Sequence, residues 1–404
     1  MKYLLAPVGT EGDIRPLVAL GLALRAAGHD ALFGASVDRG PFVQSAGLPF
    51  VAIGKNTREF FLANPGMTKG GTIGTIGPMV RAFDAFVGAQ VEGLLKHAPG
   101  VDMIVGAGLM FAGSSVAQKL GTRYRHVVHI PAMLPSSEYA PVTVPQRDMP
   151  RFVNAVLWHV SRATLTLLMG PAFNRHRTSM GLPRMRDLQS LLTRDVIVAM
   201  DPALGAVPRD VKARFWVTGY WPLHSDEELP THVASFIDNG DQPVYLGFGS
   251  MSQEDPAATM ALIDGAVHDA GVRAIVAGGW AGLETARASS RICVSRHLPH
   301  HALLPRVAAA IHHGGAGTVW TCARAGIPQC AVPHMLDQFY WGDRIRRLGI
   351  GPGAVPRNKL TRARLAAMLR DVTSTQTYRD NARALALPLS RRDGVAEGVR
   401  LLGL

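Results

Sequence analysis

Apolar and polar positions fall into strand-length and helix-length blocks that begin at residue 2 and begin again near residue 242. The first block, KYLLAPV, is an unbroken apolar run of strand length. GTEGD follows. IRPLVALGLALRAAG then places apolar residues at helical spacing and stops at Gly28. DALFGAS reads as a second strand, RGPFVQSAG as a short helix ended by Gly47, and LPFVAIG as a third strand. Strand–loop–helix alternation with glycine-terminated helices predicts a parallel sheet covered on both faces.

The second block opens with the strand QPVYLGFGS and the helix PAATMALIDGAVHDAG. The strands VRAIVAG and RICVSR, the short helix HHALLPRV and the strand AAAIHHG come next, then a helix that stops at Gly326 and the strand PQCAVP. The α/β pattern therefore predicts two doubly wound units, over residues 1–205 and 243–385. Residues 206–242 are rich in proline and charge and read as a linker region, and residues 386–404 form a helical tail. Residues 55–80 make a long irregular insertion, of the kind that more often serves as a functional lid than arises by accident. Ligands of such sheets bind beyond the carboxyl ends of the strands. Three loops lie there, Gly9–Asp13, Gly249–Ser252 and His312–Thr318, and two facing units would bring them to one cleft.

Composition narrows the class. The chain has 404 residues, 47% hydrophobic, enough for two ordinary cores. Cys293, Cys322 and Cys330 have neither the number of a disulfide framework nor a zinc spacing, and read as buried reduced thiols. No unbroken apolar run reaches the roughly 18 residues that span a bilayer, and MKYLLAPVGTEGD turns polar too early for a signal peptide, so a cytoplasmic protein is expected. The net charge of +12 is uneven: residues 119–194 hold eleven Lys or Arg against three Asp or Glu. Without an aromatic-interleaved platform this argues against nucleic acid. It leaves a solvated arginine-rich face or a peripheral contact with an anionic membrane; RFVNAVLWHVSRATLTLLM, with arginines beside an apolar face, fits an interfacial helix as well as a core one.

The loops carry the candidate chemistry. In HHGGAGT, His313, the amides of Gly314 and Gly315, Gly317 and Thr318 suit a diphosphate, because a helix start offers bare N–H groups to an anion. Ser250 adds a hydroxyl. Asp13 sits at a helix N-terminus, where capping is the structural alternative to a role as general base and where the helix dipole favours a lowered pKa. Asp337 and Gln338 place a carboxylate beside an amide, a pair able to hold several sugar hydroxyls or to cap a helix. The first loop lacks G-x-G-x-x-G, which argues against a nicotinamide enzyme.

With these residues in place, the chain resembles a family 1 glycosyltransferase of the GT-B fold, in the bacterial branch of vancomycin-type aglycone transferases and sterol glucosyltransferases. The resemblance rests on GTEGDIRPLVALGLALRAAGH, on the segment from VTGYWPLHSDEELP to VYLGFGSM, on HLPHHALLPRVAAAIHHGGAGTVWTCARAGIPQCAVPHMLDQFYWGDRIRRLGIG and on VPRNKLTRARLAAML. Residues 55–200 match only in general pattern. The resemblance implies two facing Rossmann-like domains with a deep cleft, an N-terminal one for the acceptor and a C-terminal one for the nucleotide-sugar donor, with the last helix crossing back to the first domain. It implies that His313 and Gly314–Thr318, with Ser250, bind the donor diphosphate. His297 stands where an aromatic often stacks on the base, and the Leu298 backbone pairs with the pyrimidine. Asp337 and Gln338 hold the sugar, and Asp13 deprotonates an acceptor hydroxyl. The implied reaction is inverting transfer of a hexose or deoxyhexose from a UDP- or dTDP-sugar to a hydrophobic small molecule, with no cofactor and, in the absence of a D-x-D pair, no bridging metal. Two departures stand out. Thr321 occupies the place of a ribose-binding Glu, and no carboxylate is set to orient a catalytic histidine, so Asp13 is expected to act without a dyad. A sugar-nucleotide epimerase on the same fold and a non-catalytic basic binding module are the competing readings.

Overall fold

In β1 (Lys2–Val8) successive side chains go to opposite faces, and every residue after Lys2 is buried. Leu4, Ala6 and Val8 join a core with Phe83, Phe86, Ile104 and Phe173, while Tyr3 and Leu5 join a second core with Leu17, Leu20, Phe33 and Val105. This two-sided burial is why the run is apolar without alternation. Each buried Leu or Phe contributes about 1.5–3 kcal/mol of transfer free energy.

The computed structural model describes residues 1–56, 59, 76–144, 146, 148–248, 256–278 and 290–403. The expected insertion at residues 55–80 falls largely outside them. Two compact units emerge. One holds Met1–Pro141, Asp148–Leu223 and Asp393–Leu404, and the other holds Val142–Arg147 and His224–Arg392.

The first unit is built on seven parallel strands, β1, β2 (Asp30–Ala35), β3 (Phe50–Ala52), β4 (Met103–Gly108), β5 (Arg123–Val128), β6 (Val196–Val198) and β7 (Phe215–Val217), in the order β3-β2-β1-β4-β5-β6-β7. β7 lies within the stretch that the sequence presents as linker. The helix Gly394–Leu402 packs against the helix Glu11–Ala26. Tyr3 Oη donates to the Leu402 carbonyl at 2.9 Å, and a Cβ on Gly398 would stand 3.0 Å from the fully buried Trp221 ring.

The second unit has five parallel strands, β8 (Val244–Gly247), β9 (Ala274–Ala277), β10 (Ile292–Ser295), β11 (Ala309–His312) and β12 (Gln329–Ala331), in the order β10-β9-β8-β11-β12. Val244, Leu246 and Val276 face a core with the helices Pro256–Ala270 and Arg362–Ser374, and Tyr245, Ile275 and Cys322 face another. All three cysteines are buried free thiols.

Strand order reverses between β1 and β4 in the first sheet and between β8 and β11 in the second. Such switch points leave a crevice at the carboxyl ends of the diverging strands. The loops after β1 and β11 are those that carry Asp13 and His313.

The helix Arg151–Ser179 meets the length and apolar content needed to cross a membrane. No unbroken apolar run marks it in the sequence, because Asn154, His159 and Arg162 interrupt the run without ending the helix.

Candidate functional site

Asp13 stands in the first turn of the helix Glu11–Ala26, whose N-cap is Thr10. Its Oδ2 accepts the Thr10 amide at 2.9 Å and the Thr10 hydroxyl at 3.4 Å. Two glycines make the space. A Cβ on Gly9 would fall 2.1 Å from Oδ2, and one on Gly108 would fall 2.9 Å from Oδ1. Gly108 ends β4 with φ of +61°, so the carboxylate lies at the β1–β4 switch point.

Burial pushes the Asp13 carboxyl up to about 6, against the pull of the Thr10 hydrogen bonds and of Arg39. The expectation from the helix dipole was a lowered value. Loss of hydration outweighs the helix start, although the side chain in its glycine-lined crevice is only half-buried. The carboxyl is thereby placed closer to neutral pH, where a general base works best.

In the second unit, the His313 amide donates to the Gly247 carbonyl at 3.1 Å, which ties the end of β11 to the end of β8. His312 is fully buried. Its Nδ1 accepts the Gly314 amide at 3.0 Å, and its Nε2 meets Gln329 Oε1 at 2.9 Å. The Gly314 amide is therefore engaged within the protein, and Gly314 serves through its φ of +90°. Among the described residues, the bare donors at this turn are the first-turn amides of the helix Ala316–Arg324, including those of Gly317 and Thr318, with Gly315 as its N-cap. His313 Nε2 overlies that helix start: a Cβ on Gly315 would stand 2.4 Å from it. Burial lowers the His313 pKa, so the ring is a neutral hydrogen-bonding group.

The loop after β12 touches this turn. A Cβ on Gly314 would lie 2.9 Å from the Gln338 carbonyl oxygen. Gln338 is buried, and its Oε1 accepts the amides of His334 at 2.7 Å and Met335 at 3.2 Å. The Gln338 side-chain carbonyl thus shapes the loop, which leaves its NH₂ group to act as a donor. Leu336 holds φ of +48° immediately before Asp337, the first residue of the helix Asp337–Arg347. A non-glycine residue in that region costs on the order of 1–3 kcal/mol and is tolerated where the surroundings fix it.

His334 is a site candidate that the sequence did not announce. It follows β12 as His313 follows β11, on hydrogen-bonded neighbouring strands. Its Nε2, like His313 Nδ1, is buried without a hydrogen-bond partner among the described residues. Burial, aided by the neighbouring His313 and Arg357, lowers its pKa to about 4. The available signal was a histidine four positions before Gln338 at the end of a strand.

His297 and Leu298 follow β10, the edge strand, separated from β11 by β9 and β8. His297 Nε2 and Glu227 Oε2 are 2.7 Å apart and both side chains are exposed, while Leu298 packs against the core beneath. Glu227 comes from the expected linker and was not read as a partner. Thr321 turns its hydroxyl back to the Gly317 carbonyl at 2.8 Å. Ser250 lies outside the described residues. The structure therefore brings together His313, Gly314, Gly315, Gly317, Thr318, Asp337 and Gln338. Asp13 belongs to the other unit. Among the described residues no group of three or more His, Cys, Asp or Glu side chains could hold a metal ion.

Comparison with known proteins follows this geometry. Residues 273–393 match the family model described as erythromycin biosynthesis protein CIII-like, C-terminal domain. The vancomycin aglycone glucosyltransferase of Amycolatopsis orientalis is 33% identical, with 100% of this chain and 97% of that protein covered. The crystal structure of the glycosyltransferase SnogD from Streptomyces nogalater superposes with a TM-score of 0.71 at 21% identity, covering 100% of this chain and 99% of that one. The glycosyltransferase VinC, solved in complex with dTDP, superposes with a TM-score of 0.70 at 18% identity over 100% and 98% of the two chains.

Proposed function

The chain belongs to the GT-B glycosyltransferases that include vancomycin aglycone and sterol glucosyltransferases, and from that premise we propose an inverting transfer with Asp13 as general base. The donor is a UDP- or dTDP-linked hexose or deoxyhexose. The acceptor is a hydroxyl of a hydrophobic small molecule, such as a polyketide, another natural product, a sterol or a glycolipid.

The acceptor hydroxyl gives its proton to the Asp13 carboxylate as its oxygen attacks the anomeric carbon. The new C–O bond forms on the face opposite the bond to the diphosphate, which breaks and carries its electron pair to phosphate oxygen. An α-linked donor becomes a β-glycoside. His313 and the first-turn amides Ala316–Thr318 donate to the diphosphate as its charge grows, and they act most strongly where that charge appears. Asp337 and the Gln338 amide hold sugar hydroxyls, and His297 and Leu298 hold the base. His334 joins His313 as a second imidazole beside the diphosphate. The protein groups supply the charge stabilisation in this scheme, and no step is assigned to a metal.

The observation that carries this reading is the Asp13 carboxyl, set in a glycine-lined crevice at a switch point and pushed up to about 6. The test is incubation with UDP-glucose and dTDP-glucose against a panel of phenolic, polyketide and sterol acceptors. Mass spectrometry detects the glycoside, and proton coupling at the anomeric carbon gives its configuration. A β product that disappears in Asp13→Asn supports the mechanism. An α product, or an Asp13→Asn enzyme of undiminished rate, overturns it.

A further inference from the structure

Gln90 is a fully buried polar side chain in an apolar stretch of the helix Ile76–His97, where Phe86, Val87, Val91 and Leu94 all join the core of the first unit. A leucine would fill the same space without giving up hydration, so the amide is tolerated there only with partners. It finds them in one turn, the turn that leads from β4 to the helix Gly113–Leu120. Its Nε2 donates to the Leu109 carbonyl at 3.0 Å, and its Oε1 accepts the amides of Phe111 at 3.0 Å and Ala112 at 3.2 Å. Ala112, the N-cap of that helix, brings no side-chain oxygen of its own.

Tyr124 grips the same turn from β5. Its Oη donates to the Met110 carbonyl at 3.5 Å and meets His126 Nδ1 at 2.9 Å. The turn makes room for this hydroxyl at two positions without side chains. A Cβ on Gly106 would stand 2.4 Å from Oη, and one on Gly113 would stand 2.9 Å from it.

The turn so held begins at Gly108, and Gly108 lies against Asp13. A Cβ on Gly108 would fall 2.9 Å from Asp13 Oδ1 and 2.3 Å from the Val8 carbonyl oxygen, which accepts the Leu109 amide at 2.8 Å. The Thr10 hydrogen bonds fix Asp13 Oδ2. The backbone at Gly108 limits where Oδ1 can go. A carboxylate that takes a proton from an attacking hydroxyl works only from a defined place, and a shift of about an ångström is costly.

We propose that Gln90 and Tyr124 are positioning residues for the transfer, holding the turn after β4 from two sides so that Gly108 keeps Asp13 Oδ1 in its working place. The inference rests on the reading of Asp13 as general base. Each side chain acts through the backbone of the turn.

The test uses two variants of the full chain. Gln90→Leu keeps the bulk and removes the polar partners, and Tyr124→Phe removes one oxygen and keeps the ring. Transfer is followed against pH in both, with Asp13→Asn beside them and circular dichroism to establish folding. Each should lower kcat/KM near neutral pH at least about fivefold. The acid limb, at about 6 in the wild type, should move down, because a loosened wall admits water and the carboxyl returns toward the ordinary carboxylate range. UDP and dTDP affinity, measured by calorimetry, should not change. A purely structural role would lower the melting temperature and leave the limb where it is. If Gln90→Leu does not fold, Tyr124→Phe decides alone. Wild-type rate and limb in a folded Tyr124→Phe overturn the proposal, and so does a slower variant whose limb is unmoved. Undiminished transfer by Asp13→Asn overturns the base assignment itself, and this inference with it.

Discussion

Gly9 and Asp13 share one small space, in which a single added carbon at Gly9 would come within 2.1 Å of the Asp13 carboxylate oxygen. Gly9→Ala should push the carboxylate off its Thr10 hydrogen bonds. Turnover should fall at least about tenfold, as expected when a base is misplaced by about an ångström. Nucleoside diphosphate affinity, which the proposed mechanism assigns to the other unit, should be unchanged. Steady-state kinetics beside calorimetry separates the two.

Asp13→Asn should slow transfer by about a hundredfold or more. In the wild type, kcat/KM should fall as pH drops through about 6, because the base must be ionised, and the variant should lack that limb. Stability should move the other way. A carboxyl raised in the folded protein favours folding below its unfolded pKa, and that contribution is lost as pH rises through about 6. At pH 7.5 the Asn variant should therefore be as stable as wild type or more so, by up to about 3 kcal/mol. The gap should close in acid near the unfolded pKa. A variant less stable at pH 7.5 would mean that Asp13 serves chiefly as a helix cap.

His313→Ala should weaken UDP and dTDP binding by about 1.5–3 kcal/mol, the worth of a hydrogen bond to a charged group. His334→Phe keeps a ring beside Phe248, whose centroid is 6.4 Å from that of the imidazole. It should cost diphosphate affinity severalfold while leaving the affinity for the free nucleoside unchanged. Equal losses for nucleoside and diphosphate would reduce His334 to a packing residue.

Thr321 is short, neutral and already bonded to the Gly317 carbonyl. Little is left unpaired when a donor lacks a ribose hydroxyl, so UDP-glucose and dTDP-glucose should differ by less than about a hundredfold in kcat/KM. Thr321→Glu should shift the preference toward UDP. Competition between the two donors decides, and a wild-type preference of about a thousandfold or more for UDP would refute the argument.

The parts of the fold legible in the sequence are those whose signal is local. β1, its loop and its helix could be read because burial on both faces made the strand uniformly apolar and Gly28 ended the helix. The turn at His313 was legible because Gly314 takes φ of +90°, which favours glycine, and Gly315 caps the helix that follows. β5 carries Arg123 and Arg125, and β6 and β7 are three residues each, so they become strands through pairing such as Val196 with Phe215. The same limit applies to the site. His312 and Gln329 are 17 residues apart, and nothing local says that their bond holds the Gly314 amide. The direction of the Asp13 pKa was misread because the helix dipole is local and the loss of water is not.

The bond from Tyr3 to the Leu402 carbonyl has a consequence for biosynthesis. The ribosome makes the opening strand first, yet the helix that covers its neighbourhood and packs on Trp221 appears only after the entire second unit has been translated. The second unit, which runs to Arg392, does not include that helix, while the first depends on it. A chain truncated before residue 394 should therefore pair a protease-resistant C-terminal body with an N-terminal one whose Tyr3 and Trp221 are uncovered, a natural client for chaperones.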